Sequence, residues 1–212
     1  MKKSKVMLFG AMALTAGLAL AACGSSQSSN ADKTYSYIFV NNPDTLDYIT
    51  STRDSTSSIT TNLIDGLLEN DQYGNLIPSM AESWTVSKDG LTYTYKIRQE
   101  AKWYTSEGEE YADVTAHDFV TGLKYAADKK AENLYLVQDS IKGLADYVEG
   151  KSSDFATVGV KAVDDYTLQY TLNQPETYWN SKTTASILSP VNEAFLKSKG
   201  DDFGSVTPSS IL

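Results

Sequence analysis

Cysteine and histidine are almost absent from this sequence: each occurs once in 212 residues. One Cys excludes a disulfide framework within the chain, and one Cys with one His excludes thiolate-only or multi-imidazole metal sites. Positive charge is scarce as well. Eighteen Lys and Arg stand against 27 Asp and Glu, a formal net charge of -9, which argues against the clustered basic surface that holds a nucleic-acid backbone. No glycine-rich phosphate loop, nucleophile elbow or zinc-protease helix occurs, and no repeat of about 20–50 residues is visible. What remains, at 41% hydrophobic and 21% charged residues, is ordinary globular composition. The length fits one domain or two small ones.

A long uncharged run occurs near the start. Lys2, Lys3 and Lys5 precede Val6 to Ala22, which carries no charge. A basic start followed by an apolar stretch and small residues is the layout of a secretory signal. The run alone would also suit an N-terminal anchor helix. The position of the lone Cys decides: Leu20-Ala21-Ala22-Cys23 resembles the lipobox of bacterial lipoproteins. That resemblance implies cleavage before Cys23, acylation of its sulfur and amino group, and anchoring on the extracellular face of a Gram-positive-like cell membrane. Loss of residues 1–22 removes three Lys and no acid, leaving 15 basic residues against 27 acidic ones and a charge of -12. Residues 23–33, rich in Ser, then read as a flexible tether.

Beyond the tether the pattern is globular. Thr34 to Phe39 alternates as a strand. Ile59, Leu63, Ile64, Leu67 and Leu68 predict a helix over about 56–68, with a turn at Asn70–Asn75. Trp84 to Arg98 predicts a hairpin turning at Lys88-Asp89-Gly90, with Leu91, Tyr93, Tyr95 and Ile97 on one face. Thr115 and Asp118 resemble a capping box ahead of a helix that buries Phe119, Leu123, Ala126 and Ala127. A further helix is expected over Glu132–Glu149, with Leu136, Ile141, Leu144, Ala145 and Val148 inward. A second hairpin is expected across Asp164-Asp165, and a last helix from Ser189-Pro190 to about Gly200. Mixed strands and helices with antiparallel hairpins give an α/β or α+β class.

The candidate chemistry is sparse. His117 has no second His or Cys to form a site with, and reads as a surface residue in a helix's first turn. The acids Glu107, Glu109, Glu110, Asp113, Asp164, Asp165, Asp201 and Asp202 fall in predicted turns, where solvated charge is the default. A carboxylate-pair glycoside hydrolase needs only two acids at a set separation, so it stays open as an alternative, as does a surface receptor or adhesin. Trp84, Trp103, Tyr93 and Tyr95 read as structural, although aromatic side chains also line ligand pockets. The balance favours binding over catalysis, with no metal or cofactor expected.

An ordered series of motifs then resembles the oligopeptide-binding lipoproteins of peptide ABC transporters, solute-binding protein family 5. It comprises Leu46-Asp47, Asp65-Gly66-Leu67-Leu68, Pro78, Ala81-Glu82-Ser83-Trp84, and Asp89-Gly90 through Arg98 to Glu100. Ala101-Lys102-Trp103, Val114 to Val120, Gly159 to Asp165 and Ser189-Pro190-Val191 follow in order. The resemblance implies a periplasmic-binding-protein-like type II fold of two lobes. It further implies that this chain is the N-terminal part of a longer, truncated protein: 34–62 starting lobe one, 63–172 forming its accessory subdomain, and 173–212 returning to lobe one. It implies capture of oligopeptides by strand pairing, delivery to ABC-transporter permease subunits, and no catalysis. The implied peptide-binding segment is Ser51, Thr52, Arg53 and Asp54; a bare polar loop capping the next helix is the plainer reading. Residues 105–113 are longer and more acidic than the family's usual turn and are expected to be a surface elaboration.

Overall fold

The computed structural model describes residue 38 and residues 41–212. The secretory run, Cys23, the tether and the opening strand, apart from Ile38, lie outside the described residues.

The centre of the described chain is a four-stranded antiparallel sheet of spatial order β3-β4-β8-β7. Its strands are β3 (Ala81–Val86), β4 (Thr92–Ile97), β7 (Val160–Asp164) and β8 (Thr167–Thr171). Both expected hairpins are present, and the seam between them is β4 against β8, with Tyr93 opposite Tyr170 and Tyr95 opposite Leu168. Opposed residues share a face. Tyr93, Tyr95, Ile97, Leu168 and Tyr170 are all buried, so the alternation seen in the sequence marks the core side, as expected. Trp179, fully buried at the start of the short helix α4 (Trp179–Lys182), packs on Tyr170 with ring centroids 5.3 Å apart. Two small hairpins flank the β3–β4 hairpin in sequence: β1 (Leu68–Asn70) with β2 (Leu76–Pro78), and β5 (Lys102–Tyr104) with β6 (Glu110–Asp113). The second contains the acidic elaboration, whose Tyr111 stands edge-on to Phe195 at 5.6 Å.

Helix α2 (Ala116–Lys129) packs on β7 and β8. Its predicted face, Phe119, Leu123, Ala126 and Ala127, is buried. At its start Thr115 N–H donates to Asp118 Oδ2 at 2.8 Å, and Trp103 Nε1 donates to the same oxygen at 3.1 Å.

Three expected helices differ. The first, α1 (Asp54–Thr60), stops short of residue 68. Thr60, Thr61 and Asn62 turn their side chains back onto the carbonyls of Thr56, Ser57 and Ser58, competing with continuation of the helix. Leu68 opens β1 instead. The second, over 132–149, is broken into a 3₁₀ turn at Glu132–Leu136 and α3 (Leu144–Val148). Between them Ile141 bridges to Leu172 and Gly143 takes a left-handed φ of 71°, which a continuing helix cannot contain. Leu136 points outward while Ile141 and Leu144 are buried. The third, α5 (Glu193–Lys199), is capped by Asn192, whose side chain accepts from Phe195 N–H at 3.0 Å. Ser189-Pro190 stays extended across α2, so close that a Cβ on Gly122 would lie 2.2 Å from the Ser189 carbonyl oxygen.

Candidate functional site

The segment Ser51–Asp54 lies where an irregular stretch enters α1. Ser51, Thr52 and Arg53 have no regular structure, Arg53 is extended at φ -86° and ψ 135°, and Asp54 is the first helical residue. Thr52, Arg53 and Asp54 are exposed and Ser51 is half-buried. The part that caps the helix is Arg53, whose carbonyl accepts from Thr56 and Ser57 N–H at 3.1 Å each. The remaining main chain is open: Ser51 C=O and Thr52 N–H and C=O make no hydrogen bond to any described residue. Arg53 N–H is itself taken up by Ser51 Oγ at 3.3 Å, so the free donors and acceptors at Ser51 and Thr52 form a short edge onto which an extended chain can pair.

The side chains of this edge are tied sideways. Thr52 Oγ1 donates to Glu132 Oε2 at 3.0 Å, and Ser51 Oγ donates to Thr56 Oγ1 at 3.1 Å. Arg53 Nε lies 2.9 Å from Asp44 Oδ2 in a solvent-exposed ion pair, of a kind worth about 0–1 kcal/mol. Asp54 begins the first turn of α1, where a negative charge suits the helix dipole. The structure therefore brings the four residues together with one role already visible in each, and leaves main-chain groups available. Behind the edge, Thr56 Oγ1 donates to the Thr45 carbonyl at 2.8 Å, hooking α1 onto the preceding loop.

Other candidates fall elsewhere. His117 is exposed in the first turn of α2, its Nε2 3.4 Å from Asp165 Oδ1. Asp164 holds its own hairpin turn, accepting from Tyr166 N–H at 3.0 Å and Thr167 Oγ1 at 2.8 Å. The Thr167 hydroxyl bond, followed by the Tyr166 N–H, holds its carboxyl below the ordinary range. Asp89 does the same at the first hairpin, mainly through the Ser87 hydroxyl. Among the described residues no group of three or more His, Cys, Asp or Glu is placed to hold a metal ion.

Two features had no signal in the sequence. Glu176 is buried, and Lys182 Nζ lies 3.0 Å from its Oε2; that oxygen makes no hydrogen bond among the described residues, so the contact is charge on charge. A groove of about 500 Å³, walled in part by Leu46, Ile59, Leu63, Trp103 and Ile211, runs between α1 and the β5–β6 hairpin. No linear spacing connects its walls.

The mixed α/β fold and this motif series define the class. Residues 75–210 match the model of the bacterial extracellular solute-binding proteins, family 5, middle region, and the chain belongs to that family. It is 66% identical to the oligopeptide-binding protein AliB of Streptococcus pneumoniae over 99% of this chain and 32% of that protein. Among solved structures it is similar to the substrate-binding domain of an oligopeptide ABC transporter from Bacillus anthracis, at 35% identity and TM-score 0.69, over 77% of this chain and 32% of that one. It is likewise similar to Listeria monocytogenes OppA bound to peptide, at 34% identity and TM-score 0.69, over 76% of this chain and 31% of that one. The expected fold, periplasmic-binding-protein-like type II, is thus the fold of its neighbours. The chain spans about a third of the length of the curated relatives it matches.

Proposed function

We propose that this chain is the peptide-capturing part of an extracellular solute-binding lipoprotein, which collects oligopeptides and hands them to the permease subunits of an ABC transporter. The observation that carries the reading is the open edge at Ser51 and Thr52. Its unpaired main-chain groups can hold an extended peptide regardless of side-chain identity, in a chain whose neighbours include a protein bound to peptide. The role is binding rather than catalysis: Asp54, Asp89, Asp118 and Asp164 serve turns and helix ends, and Glu176 pairs with Lys182.

Residues 34–62 begin lobe one, 63–172 form its accessory subdomain, and 173–212 return to lobe one. Cys23 carries the lipid that holds the protein on the outer face of the cell membrane, with residues 1–22 as its signal peptide and 23–33 as its tether. None of the described helices is long and apolar enough to cross a membrane, and a lipidated Cys needs no such helix.

A single edge meets one side of a peptide, so the 212-residue chain alone binds weakly. Amide chemical shifts followed during addition of trialanine to millimolar concentration test this. Shifts concentrated at residues 51–54 are the expected result. Shifts elsewhere only, or none, would defeat the reading, and micromolar affinity in calorimetry would defeat the claim of weakness. Radiolabelled peptide uptake in cells lacking the gene, restored by the native protein but not by Cys23→Ala, tests the anchor and the transport role together.

A further inference from the structure

We propose that Asp47 fixes where the Ser51–Asp54 edge begins, acting as a positioning residue and not as a peptide contact; its importance for capture rests on the function proposed above. Asp47 is only 7% exposed, and its carboxylate accepts four hydrogen bonds. Oδ1 takes Ile49 N–H at 3.0 Å and Thr50 N–H at 3.1 Å. Oδ2 takes Thr50 Oγ1 at 2.6 Å and Tyr125 Oη at 2.8 Å. The first three curl residues 47–50 into a turn. The Asp47 carbonyl then accepts Ser51 N–H at 3.1 Å, closing the turn at the residue where the edge begins.

The fourth bond reaches outside the loop. Tyr125 belongs to α2, 78 positions along the chain, so the carboxylate ties the loop to the main helix. Behind it the backbone is clamped from a third direction. Leu46 N–H and Thr45 Oγ1 both donate to the Gly204 carbonyl, at 2.6 and 2.7 Å. Gly204, at φ 73°, lies so close that a Cβ there would sit 2.6 Å from Asp47 N and Cα. Phe203 stands edge-on to both Tyr125 and Tyr48, at 5.4 and 6.1 Å. Two distant stretches, at Tyr125 and at Phe203–Gly204, thus meet the loop at Asp47.

At its other end the edge is held by α1, through the Arg53 carbonyl and the Ser51–Thr56 hydroxyl pair. Its outward ties are the exposed contacts of Thr52 with Glu132 and Arg53 with Asp44, which water can replace. A buried carboxylate with four donors is the stronger restraint, because its loss strands two backbone N–H groups and two hydroxyls. Where the 51–54 main chain begins is therefore set by Asp47, and where it ends by α1.

Hydrogen exchange on the 212-residue chain tests this without peptide. In Asp47→Ala the amides of Ile49, Thr50 and Ser51, the three bonded to Asp47, should exchange about tenfold faster, while those of β4 and β8 keep their rates. Asp47→Asn retains a carbonyl for Ile49 and Thr50 and should restore near-native rates, which a nonspecific loss of packing would not do. Tyr125→Phe removes one bond of the four; should Asp47→Ala not fold, a smaller acceleration confined to 49–51 in this variant decides the matter. Unchanged exchange there, or equal acceleration across β4 and β8, overturns the proposal. Trialanine separates the two readings. If the exchange pattern holds but trialanine shifts no amide at 51–54 in the native chain, the peptide reading fails and the positioning role stands. If trialanine shifts those amides equally in native and Asp47→Ala chains, the positioning role fails.

Discussion

The central sheet and the loop that carries the open edge reach their order by opposite means. The sheet is held by alternation: every second residue of β4 and β8 is apolar or aromatic and buried, and removal of that surface from water supplies the stability. The 45–53 loop buries Leu46, Tyr48 and Ile49 without a repeating pattern. What fixes its path is a set of hydrogen bonds to Asp47, to Gly204 and between Thr56 and Thr45. Apolar burial tolerates small displacement, whereas a carboxylate with four donors has one arrangement. The sheet therefore supplies stability and the loop supplies position.

That contrast can be broken most severely from the sheet side. Trp179→Ala removes a fully buried ring packed between Tyr93 and Tyr170 and should cost about 3–5 kcal/mol, read as a lowered midpoint in urea. Lys182→Met comes next. It leaves the buried Glu176 carboxylate without its countercharge, at a cost of about 3 kcal/mol; a double Lys182→Met, Glu176→Gln variant should recover much of the loss.

A smaller effect depends on pH. Burial, opposed by the Thr115 and Trp103 hydrogen bonds, raises the Asp118 carboxyl above its ordinary 3.8. A raised value in the folded state gives stability that is fully present below the ordinary value and is lost as pH rises through the folded one. The stability of the native protein relative to Asp118→Asn should therefore fall as pH rises above the ordinary carboxyl value of 3.8. Thermal unfolding at several pH values checks the slope; a difference that rises with pH would contradict the direction. The smallest effect belongs to the loop's surface. Arg53→Gln opens an exposed ion pair with Asp44 and should leave the melting temperature within experimental error, sharpening the claim that the edge is held from beneath.

The same contrast explains what could be read in the sequence. Both sheet hairpins, the buried face of α2 and the Asp118 end of its cap follow from local spacing, because period-2 and period-3.6 patterns are local quantities. The helices over 56–68 and 132–149 did not follow. Leu67, Leu68, Ile141 and Leu144 are buried as their spacing suggested, but side chains returning to the backbone at 60–62 and the left-handed Gly143 divide the runs. Ser51–Asp54 became a candidate only through family resemblance, since four polar residues carry no periodic signal. Asp47 was visible as part of a motif, but its partner Tyr125 is 78 positions away, and no pattern within a window connects the two.

The seam between β4 and β8 has a consequence for how the chain comes into being. Thr94 and Gln169, joined across it side chain to side chain, are 75 positions apart. The β3–β4 hairpin can form early, but its partner at the seam, β8, waits for the whole intervening stretch to be synthesised. Closing so large a loop slows folding, and until residue 171 has left the ribosome the Tyr93–Tyr95–Ile97 face lacks β8 beside it. Until then β4 presents to water an edge that the finished chain closes.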